Sequence, residues 1–218
     1  MNLIDSLIAE NWLKTSSIIN AFRKVKRADF LPSFAKAMEG EPDDLNQLAE
    51  LNEALLIGHN QTISQPLVVA FMLELLNPEP GHKVLDIGSG SGWTSALLGN
   101  IVGDKGRVIA IEVIPSLKEL GQKNASKYGN NMDFICANGV NGYPSQAPYD
   151  RILASAALNA TSVSLQRQLP QAWKDQLKTD GIIVTPIQNS IWMFKKLASG
   201  KFEEKEYPGF VFVPFIEK

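Results

Sequence analysis

Val84-Leu85-Asp86-Ile87-Gly88-Ser89-Gly90-Ser91-Gly92 is the stretch from which the rest of the chain is read. Lys83 to Ile87 is a short apolar run with neither a helical nor an alternating period, as expected of a strand buried on both faces. The glycines that follow permit a tight turn and a close approach of backbone to a ligand. Thr94 to Val102 then reads as a helix. Strand, glycine loop and helix in that order form the ligand-binding corner of an open α/β sheet, where ligands lie beyond the carboxyl ends of the strands.

The glycine spacing separates this loop from two others. A dinucleotide fingerprint is G-x-G-x-x-G, but here the glycines fall at 88, 90 and 92 and position 93 is Trp. A phosphate-cradling loop ends in G-K-[ST], which is absent. Asp86, just ahead of the first glycine, favours the methyltransferase form of the loop. Glu112 closes the next apolar run, and a carboxylate there can accept hydrogen bonds from both hydroxyls of an adenosyl ribose. The competing reading is an ordinary tight strand-to-helix turn.

Outward from the loop, strands and helices alternate. Arg107 to Ile111, Met132 to Cys136, Arg151 to Ser155 and Gly181 to Thr185 read as strands. Pro115 to Tyr128 and Gln171 to Leu177 read as helices. Ile191 to Leu197 and Phe210 to Val213 read as closing strands joined through a Gly200 turn. This pattern predicts a doubly wound, mostly parallel, Rossmann-like sheet of about seven strands with helices on both faces and an antiparallel closing strand. Upstream, Pro66 to Leu76 is a strongly apolar helix closed by Asn77-Pro78-Glu79-Pro80-Gly81. Residues 1 to about 38 read as a helical extension, with an N-cap in Lys14-Thr15-Ser16-Ser17 and a stop at Asp29-Phe30-Leu31-Pro32. Gly40 to Asp44 reads as a loop. We expect residues 1–60 to form an N-terminal helical region with a substrate-side loop, and residues 61–218 the core.

Composition sets limits on function. The 218 residues are 44% hydrophobic and 20% charged, enough for one globular unit with a substantial core. A net charge of -2 argues against a nucleic-acid-gripping surface. Arg23, Lys24, Lys26 and Arg27 cluster, but read as the solvated side of a helix. The single cysteine, Cys136, rules out an internal disulfide and suits a reducing compartment; on a buried strand it would act as a small hydrophobe. Met1 to Asp5 carry an early acid and no basic segment, so no secretory signal is expected. No apolar run is long enough to span a bilayer. A cytoplasmic protein, monomeric or weakly oligomeric, is expected. Two histidines, His59 and His82, without a nearby Cys or carboxylate cluster give no metal site. Trp93 either packs on a bound adenosyl group or in the core. Trp192 and Phe194 read as closing-strand residues, and the lysines near 195–205 as a solvated turn.

Ile57-Gly58-His59-Asn60-Gln61-Thr62-Ile63-Ser64-Gln65-Pro66 resembles the I-G-x-G-Q-T-I-S-Q-P signature of the protein-L-isoaspartate O-methyltransferases. Pro148-Tyr149-Asp150, Gly209 to Phe215, Leu13-Lys14 and Arg27 to Pro32 match further segments of that family, so the resemblance covers nearly the whole chain. It implies methyl transfer from S-adenosylmethionine, leaving S-adenosylhomocysteine, to the free carboxylate of isoaspartyl residues in damaged proteins. The ester then closes to a succinimide that opens partly to normal aspartate. It implies Ser64 as the catalytic residue nearest the reacting centre. Gln61, Thr62, Ile63, Ser64, Gly88, Ser89, Gly90, Ser91, Gly92, Glu112, Val113, Asn138 and Gly139 are the implied cofactor-binding positions. Ser64 also suits an N-cap for the helix that begins at Pro66. Asn138-Gly139 also suits a plain turn after a strand.

The chain departs from the family in places. Its G-D-G after the third strand is Ala137-Asn138-Gly139, which exchanges a carboxylate for an amide oxygen facing the adenine. Its A-Y-x-D-x-P-L-P-I-G is Ala49 to Gly58, without the tyrosine, the aspartate or either proline. An extra stretch near Leu158 to Gln168 is expected over the mouth of the site, and the P-V-G turn is Pro186-Ile187-Gln188. Two alternatives therefore stand beside isoaspartyl methylation: the same fold and donor with another acceptor, and a non-catalytic donor-binding or interaction module. A nicotinamide oxidoreductase is disfavoured by the misplaced third glycine.

Overall fold

The computed structural model describes residues 1–33, 44–158 and 169–216. The expected loop at 40–43 and the added stretch at 159–168 lie outside those residues. The chain runs α1 (Leu3–Ala9), α2 (Ser16–Lys24), α3 (Leu45–Ala49), β1 (Leu55–Gly58), β2 (Gln61–Ile63), α4 (Pro66–Leu76), β3 (Lys83–Ile87) and α5 (Trp93–Val102). It continues through β4 (Arg107–Glu112), α6 (Pro115–Ala125), β5 (Met132–Cys136), β6 (Tyr149–Ala154), α7 (Gln171–Gln176), β7 (Leu177–Ile187), β8 (Ser190–Lys196) and β9 (Phe202–Pro208).

Seven strands form one sheet in the order β5-β4-β3-β6-β7-β8-β9. The first five run parallel, and β8 is antiparallel to both of its neighbours. The antiparallel strand is thus second from the edge. The chain lays β3, β4 and β5 toward one edge and then places β6 on the other side of β3. That reversal opens a crevice at the carboxyl ends of β3 and its neighbours, the usual ligand site of such sheets. The absence of period in Val84 to Ile87 is explained by burial on both faces.

Helix α4 is apolar on nearly all sides and packs into the main core beside α1 and α2. Its one acid, Glu74, accepts from the amides of Lys14 (2.8 Å) and Thr15 (2.9 Å) and from the Thr15 hydroxyl (2.7 Å). Those bonds fix the segment entering α2, and the Thr15 hydroxyl, engaged by Glu74, makes no cap bond of its own. Asn77, in the left-handed conformation, ends α4.

Several sequence expectations are corrected. Residues 1–33 hold the two helices that the expected cap at 14–17 divides, but the stretch Arg27–Phe30 is a 3-10 turn. Phe210 to Val213 is not a strand; the closing strand is β9. Arg27 is not on a solvated helix face but is buried, at 6% exposure. Cys136 is exposed, because β5 is an edge strand. Lys196 is partly buried, and its ammonium donates to the carbonyls of Lys174 and Leu177. The β1–β2 hairpin is an element the sequence reading did not contain. Among the described residues no helix is long and apolar enough to cross a membrane, and no group of His, Cys, Asp or Glu is placed to hold a metal.

Candidate active site

A cleft lies over the carboxyl ends of β3, β4, β5 and β6. Gly88 to Ser91 form its floor, and the hairpin residues Gln61, Thr62, Ile63 and Ser64 face them. Glu112 and Val113 close one side, Gly139 and Ala137 another, and Val213 to Ile216 cover the cleft from the carboxyl end of the chain.

The loop is shaped by its glycines. Gly90 has φ +50°, and a Cβ there would meet Ile57 Cδ1 at 3.2 Å. Gly92 has φ +87°, and a Cβ would stand 2.5 Å from the carbonyl oxygen of Gly121 on α6. Gly92 therefore lets α5 and α6 pack closely and does not line the cleft. At this position a side chain would clash with the backbone of α6.

Glu112 is 6% exposed. One carboxylate oxygen accepts the Gly90 amide at 2.9 Å and the other accepts the Ile114 amide at 3.0 Å. A carboxylate offers about four acceptor sites, so two backbone bonds leave capacity for hydroxyl donors in the cleft. Beneath the loop, Asp86 is fully buried and accepts the Ser95 hydroxyl at 2.6 Å. Burial pushes its carboxyl up to about 7; the Ser95 bond opposes this and the nearby Glu112 charge adds to it.

Asn138 is not among the residues lining the cleft. Its side-chain oxygen accepts the Val140 amide at 3.0 Å and starts the 3-10 turn Gly139–Asn141. Gly139 does line the cleft, and a Cβ there would lie 2.3 Å from Ile87 Cγ2. Ser64 lines the cleft too, but it does not cap α4. The cap position is Gln65, and the Leu67 amide is met by the side-chain oxygen of Asn52 at 3.0 Å. His59 lies outside the cleft, with its ring nitrogen 2.8 Å from the Ser116 hydroxyl.

The sequence reading left Trp93 open between cleft and core, and it serves both. Trp93 is 3% exposed, lines the cleft and packs edge-on against Phe22. Thr94, Ser155 and Ala156 also line it and were missed. The rule that ligands bind past the strand ends at the chain reversal pointed to Ser155 and Ala156. Nothing local pointed to Val213–Ile216. They arrive through two backbone bonds, Ala157 N to Val213 O (2.9 Å) and Phe215 N to Ala157 O (2.8 Å).

Among the described residues, the Ser89 hydroxyl and the Trp93 indole N–H are buried without a protein partner. Both belong to cleft-lining residues. Gln61, Thr62, Ser64 and Glu112 give the cleft polar side chains that suit a ligand with polar atoms as well as apolar faces. Ile87, Ile111 and Phe215 supply the apolar part.

Curated relatives include the protein-L-isoaspartate O-methyltransferase of Methanopyrus kandleri, 34% identical over 98% of this chain and 89% of its own length. That of Ignicoccus hospitalis is 35% identical over 99% and 96%. A solved protein-L-isoaspartate O-methyltransferase superposes with a TM-score of 0.79 at 24% identity, covering 97% of this chain and 64% of that one. A protein assigned as a beta-aspartate methyltransferase (PCMT) of Plasmodium falciparum, in complex with S-adenosyl-L-homocysteine, superposes equally well (0.79) at 19% identity over the full length of both chains. These superpositions fix the fold. The sheet, the glycine loop after its first strand and the buried acid at the tip of the next place the protein in the Rossmann-like class of S-adenosylmethionine-dependent methyltransferases. Within that class the chain belongs to the protein-L-isoaspartate(D-aspartate) O-methyltransferase (PCMT) family, whose model matches residues 1–218.

Proposed function

We propose that the protein methylates the free carboxylate of isoaspartyl residues in damaged proteins or peptides, with S-adenosylmethionine as donor. The observation that carries this reading is that Ser64, in the family's serine segment, and the Gly88–Ser91 loop face each other across one cleft. When bound, the donor supplies a methyl group on a sulfonium centre, an electrophile that needs no metal.

The protein's own residues divide the work. Glu112 takes the ribose hydroxyls with the acceptor sites its two backbone bonds leave open. Gly88 to Ser91 would hold the donor's polar end against the backbone, and Val113 and Gly139, which also line the cleft, would meet its base. Gln61, Thr62 and Ile63 wall the donor's other side. Asn138, whose side-chain oxygen holds the Val140 amide, sets the position of Gly139 beside the base. Ser64 orients the acceptor carboxylate with its hydroxyl. That carboxylate is ionised at neutral pH, since its reference pKa is about 3.3–3.9, and so no general base is required. Rate enhancement rests on alignment of the reactants and on partial exclusion of water by Val213 to Ile216. Residues 1–60 furnish the acceptor side and residues 61–218 the donor-binding core. The protein acts in the cytoplasm as a monomer or weak oligomer, on protein substrates and not on nucleic acid.

The test is incubation with labelled donor and an isoaspartyl peptide, beside the same peptide with normal aspartate. Label confined to the isoaspartyl form is expected. Equal labelling of both, or none despite intact binding of S-adenosylhomocysteine, rejects the assignment of the acceptor.

A further inference from the structure

Arg27 is buried, donates to the Ser64 carbonyl, and has no carboxylate partner among the described residues. Its Nη1 donates to the carbonyls of Leu51 (2.9 Å) and Ala49 (3.4 Å), and its Nη2 to those of Glu53 (2.6 Å) and Ser64 (3.3 Å). The guanidinium carbon stands 5.4 Å from the centroid of the Trp93 ring, which lines the cleft. Burial lowers its pKa to about 10, so it stays charged at neutral pH.

A buried charge bound only to neutral carbonyls is costly, and a protein keeps one where the fork of donors does something an apolar side chain would not. Here the fork joins two segments, of which one lines the cleft. One is the run Ala49 to Glu53, where the chain has lost the tyrosine and aspartate of its family. The other is Ser64 itself. All four acceptors are main-chain oxygens, so the run can change its side chains and still be held on the same path. Stacking on Trp93 then ties both segments to the start of α5, directly after the glycine loop. No lysine or arginine lines the cleft among the described residues, and Arg27 reaches it from behind through the Ser64 carbonyl and the Trp93 ring.

We propose that Arg27 is the positioning residue of the acceptor side: through the carbonyls of Leu51, Glu53 and Ser64 it sets the Ser64 hydroxyl and the 49–53 run against the donor cleft. This rests on the acceptor and the role of Ser64 proposed above. A lysine keeps the charge but replaces a planar fork with a single ammonium, and a glutamine keeps two donors without the charge.

The experiment compares wild type, Arg27→Lys and Arg27→Gln, each also with Ser64→Ala. Folding is checked by circular dichroism, product binding by calorimetry with S-adenosylhomocysteine, and kcat and KM with an isoaspartyl peptide. In the folded variants kcat/KM should fall by about 10²-fold, as a displacement of about 1 Å produces, while product affinity stays within about threefold of wild type. With Ser64 already Ala, the further loss from Arg27→Lys should shrink to about threefold or less, since two residues acting through one contact are not additive. A merely structural arginine would leave kcat/KM per folded molecule unchanged or cause the same loss in both backgrounds, and either result overturns the inference. So does a loss of turnover matched by an equal loss of product affinity. Should the glutamine variant fail to fold, the lysine variant decides. A wild type that binds the product but leaves the isoaspartyl peptide unlabelled overturns the acceptor assignment first, and this inference with it.

Discussion

Glu112 accepts the amide of Gly90 at 2.9 Å, so the tip of β4 holds the loop that follows β3. The same carboxylate holds the Ile114 amide at 3.0 Å and thereby the entry to α6. One side chain shapes the loop and also offers its remaining acceptor sites to the cleft. Glu112→Gln replaces one acceptor oxygen with an amide donor that confronts a backbone N–H. Hydrogen bonds to charged groups are worth about 1.5–3 kcal/mol, so S-adenosylhomocysteine should bind about 10- to 100-fold more weakly. Calorimetric titration measures this; unchanged affinity would remove Glu112 from the donor site.

Ser64 faces the cleft and caps nothing. Ser64→Ala should therefore separate chemistry from stability. We expect kcat for an isoaspartyl peptide to drop by about 10- to 100-fold, as for removal of one positioning group. The unfolding midpoint should move by no more than about 2 °C, because a substitution that breaks no cap or core contact stays near ±0.5 kcal/mol. A large fall in the midpoint with little change in kcat would return Ser64 to a structural role.

The core of this site was legible because its signals are local. Val84 to Gly92 announces a buried strand and a turn that needs glycine, and the structure keeps both at the same residues. Positions whose partners lie far along the chain were misread. Arg27 follows three cationic residues and looked solvated, yet its acceptors are carbonyls at 49, 51, 53 and 64. Phe210 to Val213 has strand-like composition, but Phe210 turns to stack on Phe71 at 5.5 Å and the chain returns to Ala157. The true last strand, Phe202–Pro208, reads as a charged turn because an edge strand tolerates Glu203, Glu204, Lys205 and Glu206 on its exposed positions.

Asn52 stands where the family pattern has aspartate, and its side-chain oxygen accepts the Leu67 amide at the start of α4. The exchange preserves the cap. Asn52→Ala should cost about 1 kcal/mol, the usual value of a lost helix cap. Asn52→Asp should match or exceed wild type, since a carboxylate at a helix N-terminus gains about 0.3–1 kcal/mol from the dipole. Chemical denaturation of the three proteins checks both. Equal stability of the alanine variant would show that α4 does not depend on this bond.

Asp86 gives the pH dependence a definite sign. Burial raises its carboxyl from the ordinary 3.8 to about 7, with the Ser95 hydroxyl pulling it down and Glu112 pushing it further up. Between those two values the folded protein holds a proton that the unfolded chain has released. Unfolding then releases that proton, and stability from this group falls as pH rises from about 4 to about 7, levelling off above. Asn at the same position keeps an oxygen for the Ser95 hydroxyl and cannot ionise. Asp86→Asn should therefore gain on wild type steadily from pH 5 to pH 7 and keep a constant advantage from there to pH 8. Unfolding midpoints of both proteins across that range isolate the group, because every other titrating residue is shared. A difference that does not change with pH would mean that Asp86 is ionised throughout, and that its charge is met by a partner other than Ser95.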